Sequence, residues 1–195
     1  MCEVPVFYAT TEGQTRRIAE TLAKNLGEMG IDSRAVDVTG AEAAAFSWTG
    51  ARAVVLGASV HAGKHQGQAE AFVRANLVEF NDRPSVFLSV SLAICSIVPR
   101  DVEAARATAN RFPVQLGWRA SSVVCVAGRL AYSRYGWLKR LVMRRIAARS
   151  GGSTDTTRDH ELTDWSQVRA VAADLAARLA GTARIVNERS MRQAG

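Results

Sequence analysis

Three stretches of the chain hold residue types whose spacing suits chemistry. The first is Thr10-Thr11-Glu12-Gly13-Gln14-Thr15, set between a short apolar run and apolar residues at helical spacing. A phosphate placed there meets backbone N–H groups, hydroxyls and the positive end of a helix dipole. Gly13 permits close backbone approach, and Thr10 and Thr15 offer hydrogen bonds. The same residue types also make an ordinary helix-capping turn, so the motif alone leaves both readings open. It is neither Gly-x-Gly-x-x-Gly nor a Walker lysine loop, which weakens dinucleotide and ATP readings. The second stretch is a pair of loops, Gly57-Ala58-Ser59-Val60-His61-Ala62-Gly63 and Ser91-Leu92-Ala93. Their small residues leave room for a flat ring and offer backbone amides to its polar edge; Gly57 and Gly63 equally suit plain turns.

The third stretch carries charge. Residues 129–154 contain Arg129, Arg134, Lys139, Arg140, Arg144, Arg145 and Arg149 and no Asp or Glu. The whole chain has 25 Lys and Arg against 18 Asp and Glu, so these seven account for its entire net charge of +7. A local excess points to an anionic partner at that place. Trp137, Leu138, Leu141, Val142 and Ile146 fall on one side of a helix, with Lys139, Arg140 and Arg144 elsewhere. Arg145 and Arg149 intrude on the apolar side, where their stems can snorkel at a bilayer surface. Tyr132, Tyr135 and Trp137 suit the headgroup boundary. An ordinary surface helix over an exposed sheet edge has the same pattern. Basic-aromatic patches also bind nucleic acid, but no nucleic-acid motif accompanies this one.

The remaining composition narrows the classes. At 195 residues and 48% apolar content the chain fits one domain with a substantial core. No apolar run reaches the length of a membrane span. Cys2, Cys95 and Cys125 form no Cys-x-x-Cys pair, and His61, His65 and His160 have no ligand spacing, so no metal site is expected. The first residues show no basic segment followed by an apolar stretch, and a cytoplasmic protein is expected.

These stretches need elements to hold them. Val4–Ala9 reads as a buried strand, followed by a helix with Ile18, Ala19, Leu22, Leu26 and Met29 on its face and Gly30 as its stop. Further strands are expected at Arg34–Val38, Ala53–Ala58, Ser85–Leu92 and Ser121–Ala127. Helices are expected over 69–80 and 101–112, and from Asp164, where Asp164 and Gln167 suit a capping box. The alternation predicts an α/β fold with a doubly wound five-stranded parallel sheet in the order 2-1-3-4-5. A domain over 1–181 would hold a long basic aromatic insertion, 129–163, after or within the last strand, with 182–195 a disordered tail. In such sheets a ligand lies at the carboxyl ends of the strands where the order reverses. That places a phosphate over the first strand and a ring between the two small-residue loops.

The stretch Phe7–Ala19 resembles the flavodoxin superfamily, whose FMN phosphate loop has a hydroxyl residue, a Gly and a Thr in these positions. Glu12 departs from the hydroxyl usual there in electron carriers. The likeness narrows in 128–165, where the chain has Tyr132-x-x-Tyr135-x-Trp137, Ser150-Gly-Gly-Ser-Thr-Asp-Thr156 and Thr163-Asp-Trp165. With Glu-Gly-Gln-Thr at 12–15 and Gly-Ala-Ser at 57–59, it resembles the bacterial menaquinone-dependent protoporphyrinogen dehydrogenases over most of its length. That resemblance implies a flavodoxin-like fold and FMN held by Thr10–Thr15, Ser59–Gly63 and Ser91–Ala93. It implies oxidation of protoporphyrinogen IX in haem biosynthesis, with electrons passed to menaquinone or ubiquinone. Arg134, Tyr135, Trp137, Lys139, Arg140, Arg144 and Arg145 would then meet substrate or the anionic inner face of the cell membrane. The rival readings are a soluble flavodoxin electron carrier, an NAD(P)H:quinone reductase, and a non-catalytic membrane or nucleic-acid binding module on the same fold.

Overall fold

In a computed structural model, which describes residues 2–130 and 160–193, the chain alternates strand and helix as its periodicity predicts. Strand β1 (Val4–Ala9) leads into helix α1 (Gln14–Glu28), then β2 (Ser33–Asp37), a short α2 (Ala41–Ala44) and β3 (Val54–His61). Next come β4 (Lys64–His65), α3 (Gly67–Ala75), α4 (Leu77–Asn81) and β5 (Ser85–Ser91). A 3₁₀ turn (Leu92–Cys95) and α5 (Pro99–Leu116) lead to β6 (Ser122–Ala127). Two short strands, β7 (Arg129–Leu130) and β8 (His160–Glu161), precede α6 (Trp165–Gln193).

The main sheet runs β2-β1-β3-β5-β6, all parallel, which is the expected 2-1-3-4-5 order with the added β4 left out of the count. Every residue of β1 and of β5 is buried, because helices cover both faces. Period-two alternation sorts the side chains. Val4, Val6 and Tyr8 face Ile18, Leu22 and Leu26 of α1 and Val168, Ala172 and Leu175 of α6. Phe7, Ala9, Val54 and Leu56 face the other way, toward Phe72, Val73, Phe80 and Phe112. The first face is aliphatic and the second largely aromatic, with Phe87 stacked on Phe112 at 4.8 Å between centroids. At the margin of that aromatic layer the buried Trp118 indole donates to Ser85 Oγ at 2.8 Å, so its polar atom is satisfied.

Three local features differ from expectation. β3 runs on to His61 and folds back on β4 as an antiparallel hairpin. Ala62 (φ 48°) and Gly63 (φ 75°) are both left-handed, as a tight two-residue hairpin turn requires. The helix expected over 69–80 breaks at Asn76, whose side-chain amide donates to the Phe72 carbonyl at 2.9 Å and competes with the helix ladder. Asp164 caps α6 through the Ser166 and Gln167 amides, but Gln167 Nε2 reaches the Cys125 carbonyl of β6 rather than closing a capping box. Helix α6 itself runs past Gly181 to Gln193. Beyond Gly181 the sequence has no further Gly before 195 and no Pro, so nothing local stops the helix. Among the described residues no helix is long and apolar enough to cross a membrane.

Candidate functional site

The carboxyl ends of β1, β3, β5 and β6 open into one cleft of about 380 Å³. At one end stands the turn between β1 and α1. Gly13 adopts a left-handed conformation (φ 88°), and its N–H donates to Thr10 Oγ1 at 2.9 Å, which curls the turn. Gly13 is also the residue before α1 and supplies no side-chain cap, so the first-turn amides keep their capacity for an outside acceptor. Thr15 is 1% exposed, and its Oγ1 is buried with no hydrogen-bond partner. Its methyl packs where Gly57 lacks a side chain: a Cβ on Gly57 would lie 3.1 Å from Thr15 Cγ2. Ser59 Oγ, on the β3 side of the cleft, is likewise buried without a partner. Buried hydroxyls without partners are costly and rare, and two on one cleft mark it as built for a polar ligand.

Thr10, Glu12, Gln14 and Thr15 of the turn line the cleft. Thr11 and Gly13 do not: Gly13 shapes the turn, and Thr11 Oγ1 accepts from Gln66 Nε2 at 2.7 Å, tying the turn to the start of α3. The hairpin supplies Ser59, Val60, His61, Ala62 and Gly63, and the end of β5 supplies Ser91, Leu92 and Ala93. Ser91 Oγ accepts from the Ala93 N–H at 3.1 Å and so starts the 3₁₀ turn that carries Leu92 and Ala93 into the cleft. His65 is not a lining residue. It sits between Phe87 and Phe112, with Nε2 2.9 Å from Ser89 Oγ, and this burial pushes its pKa down to about 4. It anchors the hairpin as a neutral ring. Cys95 is exposed.

Sequence reasoning missed one wall. Asp101, Ala104, Ala105 and Thr108 of α5 line the cleft, as do Val90, Gly128 and Arg129. The first four stand at i, i+3, i+4 and i+7, a helix stripe that was readable. The insertion residues Arg134, Tyr135, Trp137, Lys139, Arg140, Arg144 and Arg145 lie outside the described residues. Among the described residues that flank it, β7 and β8 pair antiparallel, Arg129 opposite Glu161, and Arg129 lines the cleft. Among the described residues no cluster of His, Cys, Asp or Glu is arranged to hold a metal ion.

A doubly wound sheet of this order with its cleft at the switch point defines a flavodoxin-like protein, and residues 5–157 match the flavodoxin domain family. A solved archaeal flavodoxin superposes on 90% of this chain and 97% of its own with a TM-score of 0.53, at 14% identity. Sequence similarity is closer elsewhere. The chain is 34% identical over 171 residues to the protoporphyrinogen IX dehydrogenase [quinone] of Escherichia coli K12, covering 88% of this chain and 93% of that one. It is 32% identical over 177 residues to the Leishmania major protein of that name, covering 88% and 74%. The chain therefore belongs to the protoporphyrinogen IX dehydrogenase family of flavodoxin-domain oxidoreductases.

Proposed function

We propose that the chain binds FMN in this cleft and oxidises protoporphyrinogen IX to protoporphyrin IX, passing the electrons to a membrane quinone, menaquinone or ubiquinone. The observation that carries the reading is the pair of buried, unpartnered hydroxyls, Thr15 Oγ1 and Ser59 Oγ, beside the uncapped start of α1. That donor set suits a phosphate at the turn, held by Thr10–Thr15, and a flat ring beyond it among Ser59–Gly63 and Ser91–Ala93. One phosphate turn and no second nucleotide motif favour FMN over FAD. Bound flavin supplies the two-electron redox chemistry. The chain's own residues bind and orient: the turn supplies N–H and O–H donors, and the hairpin and 3₁₀ turn present small side chains that leave the ring accessible. Oxidation removes six electrons per porphyrin, so three quinones are reduced in each complete conversion.

The basic aromatic segment supports a place for that quinone. Its seven cationic side chains with no acid suit an anionic bilayer, each contributing about 1 kcal/mol near the surface. Trp137 and Leu141 would add apolar insertion that salt does not screen. The reading is of a cytoplasmic protein peripheral to the inner face of the membrane.

The decisive experiment is anaerobic protoporphyrinogen turnover with added quinone, followed by porphyrin fluorescence, on protein whose acid-released flavin is identified. FMN at near one per chain and quinone-dependent fluorescence are expected. A colourless protein that ignores added FMN rules out the flavin reading, and flavin reduction by NADPH without porphyrinogen turnover points to a quinone reductase. Replacing Lys139, Arg140, Arg144 and Arg145 by Gln should lower sedimentation with anionic vesicles while FMN absorbance stays intact. Unchanged sedimentation removes the docking role.

A further inference from the structure

Thr163 stands far from β1 in sequence yet sits at the back of the phosphate turn. It is 7% exposed, and its hydroxyl donates to the Ala127 carbonyl at 2.8 Å, the last residue of the edge strand β6. The same oxygen accepts from Gln14 Nε2 at 2.8 Å. The second N–H of that amide goes to Glu161 Oε1, also at 2.8 Å. Glu161 in turn takes the Thr163 N–H on Oε1 and Arg17 on Oε2 at 2.7 Å, and the Arg17 guanidinium lies 4.8 Å from the Trp165 ring centroid. Gln14 is the first residue of α1, itself 7% exposed, and its neighbour Thr15 carries the unpartnered hydroxyl. Gln14, Arg17, Glu161 and Thr163 thus tie the start of α1 to the end of β6, and Gln14 and Thr15 line the cleft.

Resting on the FMN reading above, we propose that Thr163, assisted by Glu161, is a positioning residue for phosphate recognition. Through Gln14 it sets the first turn of α1 in register with the Ala127–Gly128 edge of the cleft. The physical case is one of satisfaction. Gln14 Nε2 and the Ala127 carbonyl are buried groups that need partners, and the Thr163 hydroxyl serves both. Without it the amide has a reason to rotate and draw the turn with it. Neither Thr163 nor Glu161 lines the cleft; Thr163 acts on it through Gln14 and, at 3.4 Å, the Gly128 carbonyl, both of lining residues. Arg17 is half exposed, and the ion pair alone contributes little; the buried hydroxyl is the stronger member.

A phosphate-specific role separates from general stabilisation by comparing FMN with riboflavin, which lacks the phosphate. The full chain, freed of flavin, is titrated with each by flavin fluorescence. Thr163→Val, which keeps shape and removes the hydroxyl, should weaken FMN roughly tenfold and leave riboflavin unchanged. Thr163→Ser should restore the wild-type ratio of the two affinities. Should Thr163→Val not fold, Glu161→Ala probes the same array from its accessible side, with a several-fold loss confined to FMN expected. Parallel loss of both ligands overturns the inference in favour of plain packing. A wild-type preference for FMN that Thr163→Val leaves intact overturns it too. Wild-type protein that binds riboflavin as tightly as FMN removes the phosphate-turn reading itself, and the inference with it.

Discussion

The two ends of the cleft are built differently. At the turn, Gln14 and Thr15 are buried side chains backed by a hydrogen-bonded array reaching Thr163 and Ala127. At the hairpin, His61, Ala62 and Gly63 are exposed, and the loop is held by its own left-handed turn and by one side-chain anchor behind it, His65 on Ser89. A charged group needs donors fixed beforehand, because reorienting them on binding costs what the interaction yields. A flat ring needs room and backbone amides, which a short hairpin of small residues provides. The difference also means that the two ends should fail in different ways.

Gly13→Val should do the most damage. At φ 88° a branched residue costs about 1–2 kcal/mol of backbone strain, and its methyl groups crowd the turn. FMN affinity should fall about a hundredfold or more in fluorescence titrations, with the helical circular dichroism kept. If FMN binding survives, the turn is not the phosphate site.

At the hairpin end the expected failure is a pH effect. The His65 pKa, lowered to about 4 in the folded chain from 6.5, means that the unfolded chain binds the extra proton first. Stability is therefore full above about pH 6.5 and declines as pH falls toward 4, by at most about 3 kcal/mol. Urea midpoints measured across that range should show the slope, and His65→Gln should flatten it. An unchanged slope in the variant would place the titrating group elsewhere.

Thr15→Val should split stability from binding. Removing a buried hydroxyl that has no protein partner leaves the flavin-free chain as stable as before or more so. FMN loses a hydrogen bond to its charged phosphate, about 1.5–3 kcal/mol, or roughly ten- to hundredfold. Thermal melts and FMN titrations on one preparation test both halves. The smallest effect is expected from Ala62→Gly. A left-handed alanine (φ 48°) is strained, and glycine relieves it for a net gain of about 0.5–1 kcal/mol in urea unfolding, with FMN affinity little altered.

Much of this was legible beforehand because it is local. Strand identity followed from short apolar runs such as Val4–Ala9, and helix faces from Ile18, Leu22 and Leu26; strict alternation of the two then leaves few sheet orders. The turn at 10–15 and the loops at 59–63 and 91–93 were readable as neighbours, since in a parallel sheet every such loop leaves from the same edge. What the chain order hides is pairing between its distant parts. Nothing in Thr163 or Glu161 as residue types points to Gln14, because their meeting depends on α6 packing on α1 beside β6. The break at Asn76 and the hairpin at Ala62–Gly63 were missed for a related reason. An asparagine in a helical pattern and an alanine before a glycine take unusual conformations only when surrounding contacts hold them there. By itself the sequence determined the architecture and the edge at which the cleft lies, through period and order. Only the tertiary structure decided which hydroxyls lie buried without partners, that His65 serves as an anchor rather than a lining residue, and that α5 closes the far wall. Those outcomes depend on distances between segments far apart in the chain, and no local pattern encodes them.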